Sequence, residues 1–203
     1  MRVEPFGIDS VVHVVQRGAR GMDIVHDTMD RDRFVRSLLH LNDTHTDANW
    51  HKTVASLPLL ERPSHWPERE PLVRILAWTL LSNHFHLLLQ EISEGGVAKF
   101  MQRLCGSLSM CFNKKYQEKG SLFQGSYHSR TVSGDQHFNY LAFYILIKNS
   151  LEMYPGGLVA AQANFDTAWQ WLSRYPFSSF CDVISGSSSP ITDNTDGLIQ
   201  AII

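Results

Sequence analysis

The feature that most limits how this chain can fold is a pair of apolar segments joined by two polar residues. Leu72 to Leu81 is a nearly continuous apolar run. Such a run fits a strand buried on both faces, although periodicity alone fits a buried helix equally well. Ser82-Asn83 then reads as a two-residue turn, and His84 to Gln90 as the returning strand. Around this hairpin the other segments fall into place. Val11 to Gln16 is short and β-branched and reads as a strand, closed by Arg17-Gly18. Asp30 to His40 sets Phe34, Leu38 and Leu39 at helical spacing.

From Gly96 to Lys119, Val97, Met101, Leu104, Leu108, Cys111 and Phe112 recur every three or four residues. That spacing predicts an amphipathic helix ended by Gly120. Ser126 to Val132 predicts a short strand, and Ser133 with Gln136 has the form of a capping box opening a helix to about Met153. Between Asp43 and Pro71, four prolines and many polar residues mark an insertion, with a short helix expected near Leu57 to Leu60. The order strand, helix, strand, strand, helix, strand, helix is that of an α+β, ferredoxin-like split β-α-β fold. Its sheet is antiparallel with helices packed on one face, and a further C-terminal helix follows. We expect one domain over residues 1–183, with the insertion at about 43–71 and a flexible tail over 184–203.

Composition enters by exclusion. The chain has 203 residues and 43% hydrophobic content, enough for a core without covalent staples. It has no apolar run long enough for a bilayer, and Met1 to Ser10 carries Arg2, Glu4 and Asp9, which predicts no secretory signal. Cys105, Cys111 and Cys181 form no CxxC and cannot all pair, which suggests a reducing, cytoplasmic location. The formal charge of −2 says little until it is distributed. Between Val97 and Thr131, Lys99, Arg103, Lys114, Lys115, Lys119 and Arg130 face a single acid, Glu118, giving +5, while the remainder carries −7. Basic residues followed by Phe112, Tyr116, Phe123 and Tyr127 suit backbone contact and stacking of unpaired bases, against the blander reading of a solvated helix face.

Two patterns carry chemistry. His84 and His86 stand at i and i+2, which on a strand puts both imidazoles on one face and Phe85 and Leu87 on the other. Paired imidazoles suit a divalent cation, though the pair alone also fits a half-exposed polar face. Tyr140, Tyr144 and Lys148 lie at i, i+4 and i+8 on one helical stripe. Such a stripe is commonly an amphipathic rim, and it can also present a nucleophilic tyrosine.

Together these patterns resemble a known family. Ala77-Trp78 followed by Ser82-Asn83-His84-Phe85-His86-Leu87-Leu88-Leu89 is similar to the His-hydrophobic-His strand of the single-tyrosine HUH transposases, in particular the REP-associated and insertion-sequence branches. Four more segments match in order: His13 to Gly18, Gly120 to Tyr127, Tyr144 to Asn149, and Tyr175 to Phe180. The resemblance implies metal-dependent cleavage and rejoining of single-stranded, hairpin-forming DNA through a 5′-phosphotyrosine. Tyr144 would be the nucleophile, with Tyr140 the runner-up, and His84 and His86 would hold Mg²⁺ or Mn²⁺. Lys99, Arg103, Lys114, Lys115, Lys119, Tyr127, Arg130 and Lys148 would contact the DNA. A homodimer is the state of some relatives.

One position departs from the family pattern. Four residues after the nucleophile, where a Gln or Asn usually completes the metal site, this chain has Lys148, followed by Asn149. An ammonium cannot ligate a cation. Either Asn149 enters through a helix irregularity, or the third ligand comes from elsewhere or from water, or Lys148 contacts the phosphate itself. The alternative function is a domesticated, weakly active or inactive module that binds structured nucleic acid.

Overall fold

The structure is a computed structural model that describes residues 6–186 and 189–193. Strand β1 (Val11–Arg17) leads to helix α1 (Thr28–His40), and after the insertion β2 (Val73–Leu80) and β3 (His84–Glu91) form the expected hairpin. Along the insertion lies α2 (Trp50–Thr53), and α3 (Gly96–Tyr116) and β4 (His128–Thr131) follow the hairpin. The four strands are antiparallel in the order β2-β3-β1-β4, which is the split β-α-β arrangement. The α+β, ferredoxin-like expectation therefore holds.

Alternation along the strands explains the two layers. Val12, Val14, Phe85, Leu87, Leu89, Ile75, Trp78 and Leu80 face α1 and α3, together with Phe34, Leu38, Phe100 and Leu104. The other face is also covered. Helix α4 (Gly134–Phe143), a π turn (Tyr144–Lys148) and α5 (Asn149–Leu151) run over Ala77 and Leu88, with Ile145, Leu146 and Leu151 beneath them. Helices α6 (Gly157–Ala163), α7 (Phe165–Leu172) and α8 (Phe180–Ser185) extend that layer. The helices thus lie on both faces, not one, and β3 is buried almost throughout because it is sandwiched.

Several boundaries differ from expectation for identifiable reasons. Helix α3 stops at Tyr116, because Gln117 turns left-handed (φ 56°) and Glu118 N–H closes onto the Asn113 carbonyl at 3.0 Å. Ser133 forms no side-chain cap; its N–H donates instead to His137 Nδ1 at 3.2 Å, so the anticipated bond pattern with Gln136 is absent. The insertion's helix lies at Trp50–Thr53, seeded by Asp47, whose carboxylate accepts from Asn49 N–H and the Thr53 hydroxyl at 2.7 Å each. Leu57 and Pro58 instead give their carbonyls to Arg36.

The insertion is tied down at its root. Asn42 Oδ1 accepts from the N–H groups of Leu72 and Val73, and its Nδ2 donates to the Val73 carbonyl. Asp43 pairs with Arg62 and accepts from Glu70 N–H, and Arg103 on α3 donates to the Asp43 carbonyl.

The outer edge of β2 is covered by the chain's own C-terminal segments. Phe177 accepts from Leu80 N–H, Ser179 exchanges bonds with Trp78, and Thr192 bridges Ile75. Ile191 is buried and Asp193 pairs with Arg74, so residues 189–193 are docked where a flexible tail was expected; residues 194–203 lie outside the described residues.

Candidate active site

Sheet register gathers the site. Opposed residues of antiparallel strands project to the same face. His84 pairs with Arg17, His86 with Val15 and Thr79, and His13 with Arg130 and Leu88. One face therefore carries His13, Arg17, Thr79, His84, His86 and Arg130 at the end covered by the tyrosine helix.

Both histidines of β3 are oriented by hydrogen bonds. Asn83 Nδ2 donates to the Gly21 carbonyl at 3.2 Å, so Asn83 Oδ1 is the atom that meets His84 Nδ1, at 2.6 Å. His84 Nδ1 must donate, which leaves a lone pair on its Nε2. His86 Nδ1 lies 2.9 Å from His13 Nε2, with the two rings stacked at 5.2 Å and 12°. His86 Nε2 is buried and has no partner among the described residues. If His86 Nδ1 carries the shared proton, that orphan is a bare lone pair; the reverse tautomer would strand an N–H donor instead. A cation satisfies only the first.

The imidazoles are held neutral. Burial, reinforced by His13 and His84, lowers the pKa of His86 to about 2, and burial with His137 nearby lowers that of His13 to about 4. His84 is lowered in the same direction by burial and then by Arg17.

Tyr144 stands over this pair. Its ring meets His86 edge-on at 5.6 Å and His13 at 6.5 Å. Tyr140 stacks on Tyr144 at 6.0 Å, is 61% exposed, and makes no ring contact with either imidazole. Lys148 Nζ sits 4.9 Å from the Tyr144 ring centre and donates to Glu152 at 2.6 Å. That bond to Glu152 raises the Lys148 pKa, so the ammonium stays charged and cannot serve as a ligand.

The departure at Lys148 is met by the backbone. Tyr144–Lys148 forms a π turn in which Asn149 N–H donates to the Tyr144 carbonyl, five residues back instead of four. The extra residue turns Asn149 toward the sheet. It is 1% exposed, and both its Oδ1 and Nδ2 lack partners. Ser150 beside it reaches Thr79, the cross-strand neighbour of His86, at 3.1 Å.

Among the described residues no group of three or more His, Cys, Asp or Glu side chains forms a metal cage. The orphaned His86 Nε2 and Asn149 Oδ1 are donors of the kind a divalent ion accepts, so the residues fit such an ion.

The remaining candidates divide between the two faces. Arg130 and Lys148 flank the site. Lys99, Arg103, Lys114 and Lys115 ride on α3, across the sheet from the histidines, and Lys119 follows that helix. Lys115 is engaged with Asp27 and Asp30 at 2.7 Å each. Tyr127 packs against the α1–α3 core. Strand register, not side-chain spacing, brings His13 and Arg17 to the site.

Residues 68–147 match the family model for IS200-like transposases, a span that holds His84, His86 and Tyr144 and stops one residue before Lys148. Over that span, about two fifths of the chain, the sequence is similar to the IS200-like transposases. The fold is similar to that of a REP-associated tyrosine transposase solved bound to a REP hairpin. The TM-score is 0.51 at 15% identity, over 95% of this chain and 92% of that one. A search of curated proteins finds no match.

Proposed function

We propose that this protein cleaves and rejoins single-stranded, hairpin-forming DNA through a covalent 5′-phosphotyrosine on Tyr144. The observation that carries the reading is the edge-on contact of Tyr144 with the His86 ring, beside an orphaned imidazole nitrogen on His86 and an orphaned amide on Asn149 of the same helix as Tyr144. The hairpin substrate is taken from the similar transposase, whose solved structure holds a REP hairpin.

His84, His86 and Asn149 would hold Mg²⁺ or Mn²⁺. When bound, the ion polarises the scissile phosphate and offsets the charge of the transition state. The protein's own groups do the rest. The Tyr144 phenol gives up its proton as its oxygen attacks phosphorus, the P–O bond to the 3′ oxygen breaks, and that oxygen takes up a proton and leaves as a 3′-hydroxyl. Lys148, fixed by Glu152 beside the Tyr144 ring, places a permanent positive charge next to the developing phenolate. Arg17 and Arg130, on the same sheet face, are placed to hold phosphates on either side. Because the phosphodiester is exchanged for a phosphotyrosine ester, a second 3′-hydroxyl reverses the step without an external energy source. Tyr144 and His86 meet within one chain, so no second copy is needed to bring them together.

The test is a labelled single-stranded hairpin incubated with Mn²⁺ and followed by denaturing electrophoresis. A covalent adduct should form with the parent and with Tyr140→Phe, and disappear in Tyr144→Phe. Binding without any adduct would favour a module that holds structured DNA without cutting it.

A further inference from the structure

A second feature lies on the opposite side of the sheet. Helices α1 and α3 and the insertion enclose a groove of about 960 Å³, within the range of ligand sites. Its walls include Arg33, His40, Trp50, Arg103, Met110 and Lys114. The Arg33 guanidinium carbon lies over Trp50, 4.3 Å from the ring centre. His40 is 3% exposed, sits between Trp50 and Trp66 at 5.7 Å from each, and neither of its ring nitrogens has a partner. Arg33 Nε is likewise buried without one. Two polar side chains at one groove are therefore short of hydrogen bonds, in a structure where buried polar groups are normally satisfied.

The charge around the groove points to an anion. Lys114 is exposed and makes no ion pair among the described residues, whereas the carboxylate of Asp47, the one acid on the described lining, is turned to Asn49 and Thr53. Lys99, Arg103 and Lys114 follow one stripe of α3, which at the rise of an α-helix covers roughly 22 Å. Met110, 72% exposed, lies on that stripe between the cations. A line of positive charge beside a flat, partly apolar recess suits a chain of phosphates whose bases are free to stack.

We propose that this groove takes an unpaired nucleotide of single-stranded DNA, with the base against the Arg33–Trp50 stack and Met110 and the flanking phosphates on Arg103 and Lys114. The inference rests on the reading of the chain as a DNA enzyme, and it adds a second strand-holding site remote from Tyr144. An acidic peptide could meet the cations, but it would leave the planar floor and the orphaned heteroatoms of His40 and Arg33 unmatched.

The probe is a 12-nucleotide oligo-dT carrying one 4-thiothymidine, measured by fluorescence anisotropy and by photocrosslinking. The double variant Met110→Glu/Lys114→Glu, changed only at exposed positions, should bind it roughly tenfold more weakly or worse. Crosslinks in the parent should map to peptides holding Trp50 or Met110. Unchanged affinity in the variant, crosslinks confined to the Tyr144 face, or equal binding of an abasic 12-mer would each overturn the proposal. The adduct assay separates this from the active-site reading: an adduct with an unchanged variant affinity sinks the groove alone, and weakened binding without any adduct sinks the nuclease alone.

Discussion

His86 has one nitrogen on His13 and the other, buried, without a partner among the described residues, the arrangement that the proposed ligand role needs. The i, i+2 spacing was enough to read both imidazoles onto one face, because a strand alternates whatever its neighbours are. The partner that orients His86 sits 73 residues earlier and becomes visible only once β1 pairs with β3. His13→Phe keeps the ring stack and removes the hydrogen bond. We expect it to weaken Mn²⁺ binding roughly 10- to 100-fold, the usual cost of losing such a supporting bond. Titration calorimetry on metal-free protein reads this directly; an unchanged affinity would show that His86 needs no second histidine.

The tyrosine helix shows what sequence periodicity misses. Tyr140, Tyr144 and Lys148 were placed on one stripe by a constant 3.6-residue repeat, which makes Lys148 the residue facing the metal. One π turn shifts the count by a residue and presents Asn149, and no residue type announces such a turn. Asn149 is then a buried amide with no partner, which costs about 1–3 kcal/mol in the metal-free protein. Asn149→Leu, of similar volume, should therefore raise the thermal midpoint without metal and abolish most of the further rise caused by Mn²⁺. A fall in the metal-free midpoint would mean that the amide is satisfied.

A second contact between elements governs acid behaviour. The bond from Lys115 lowers the pKa of Asp27; burial pushes Asp30 up, but bonds from Lys115 and Tyr116 more than reverse it. Groups lowered on folding add stability above their unfolded pKa and lose it as pH falls through the folded value. The clasp between α1 and α3 should therefore weaken as pH drops below the ordinary carboxylate range of about 4. Lys115→Met should flatten that part of the stability–pH curve, measured by urea unfolding at several pH values. A parallel curve for the variant would show that the clasp contributes nothing.

At the scale of the whole molecule, the sequence resolves a near-neutral chain into a basic stretch and an acidic remainder, and its succession of strands and helices matches the structure. It assigned DNA contacts to the basic helix and a metal to the histidines without relating the two in space. The sheet keeps them apart, with α3 on one face and the tyrosine helix on the other, because β3 is apolar on its α3 side and carries both imidazoles on its other side. The C-terminal half was the least legible part. The docking of residues 177–179 and 189–193 on the β2 edge depends on backbone pairing, which side-chain periodicity does not encode.

The proposed function stands on one bond, the ester between Tyr144 and a 5′-phosphate. The direct measurement is mass spectrometry of the protease-digested adduct formed with a hairpin oligonucleotide and Mn²⁺. The expected product is a nucleotide attached through its 5′-phosphate to the peptide containing Tyr144, with a free 3′-hydroxyl on the released strand. Attachment at Tyr140, or cleavage that leaves a free 5′-phosphate and no modified tyrosine, would contradict it.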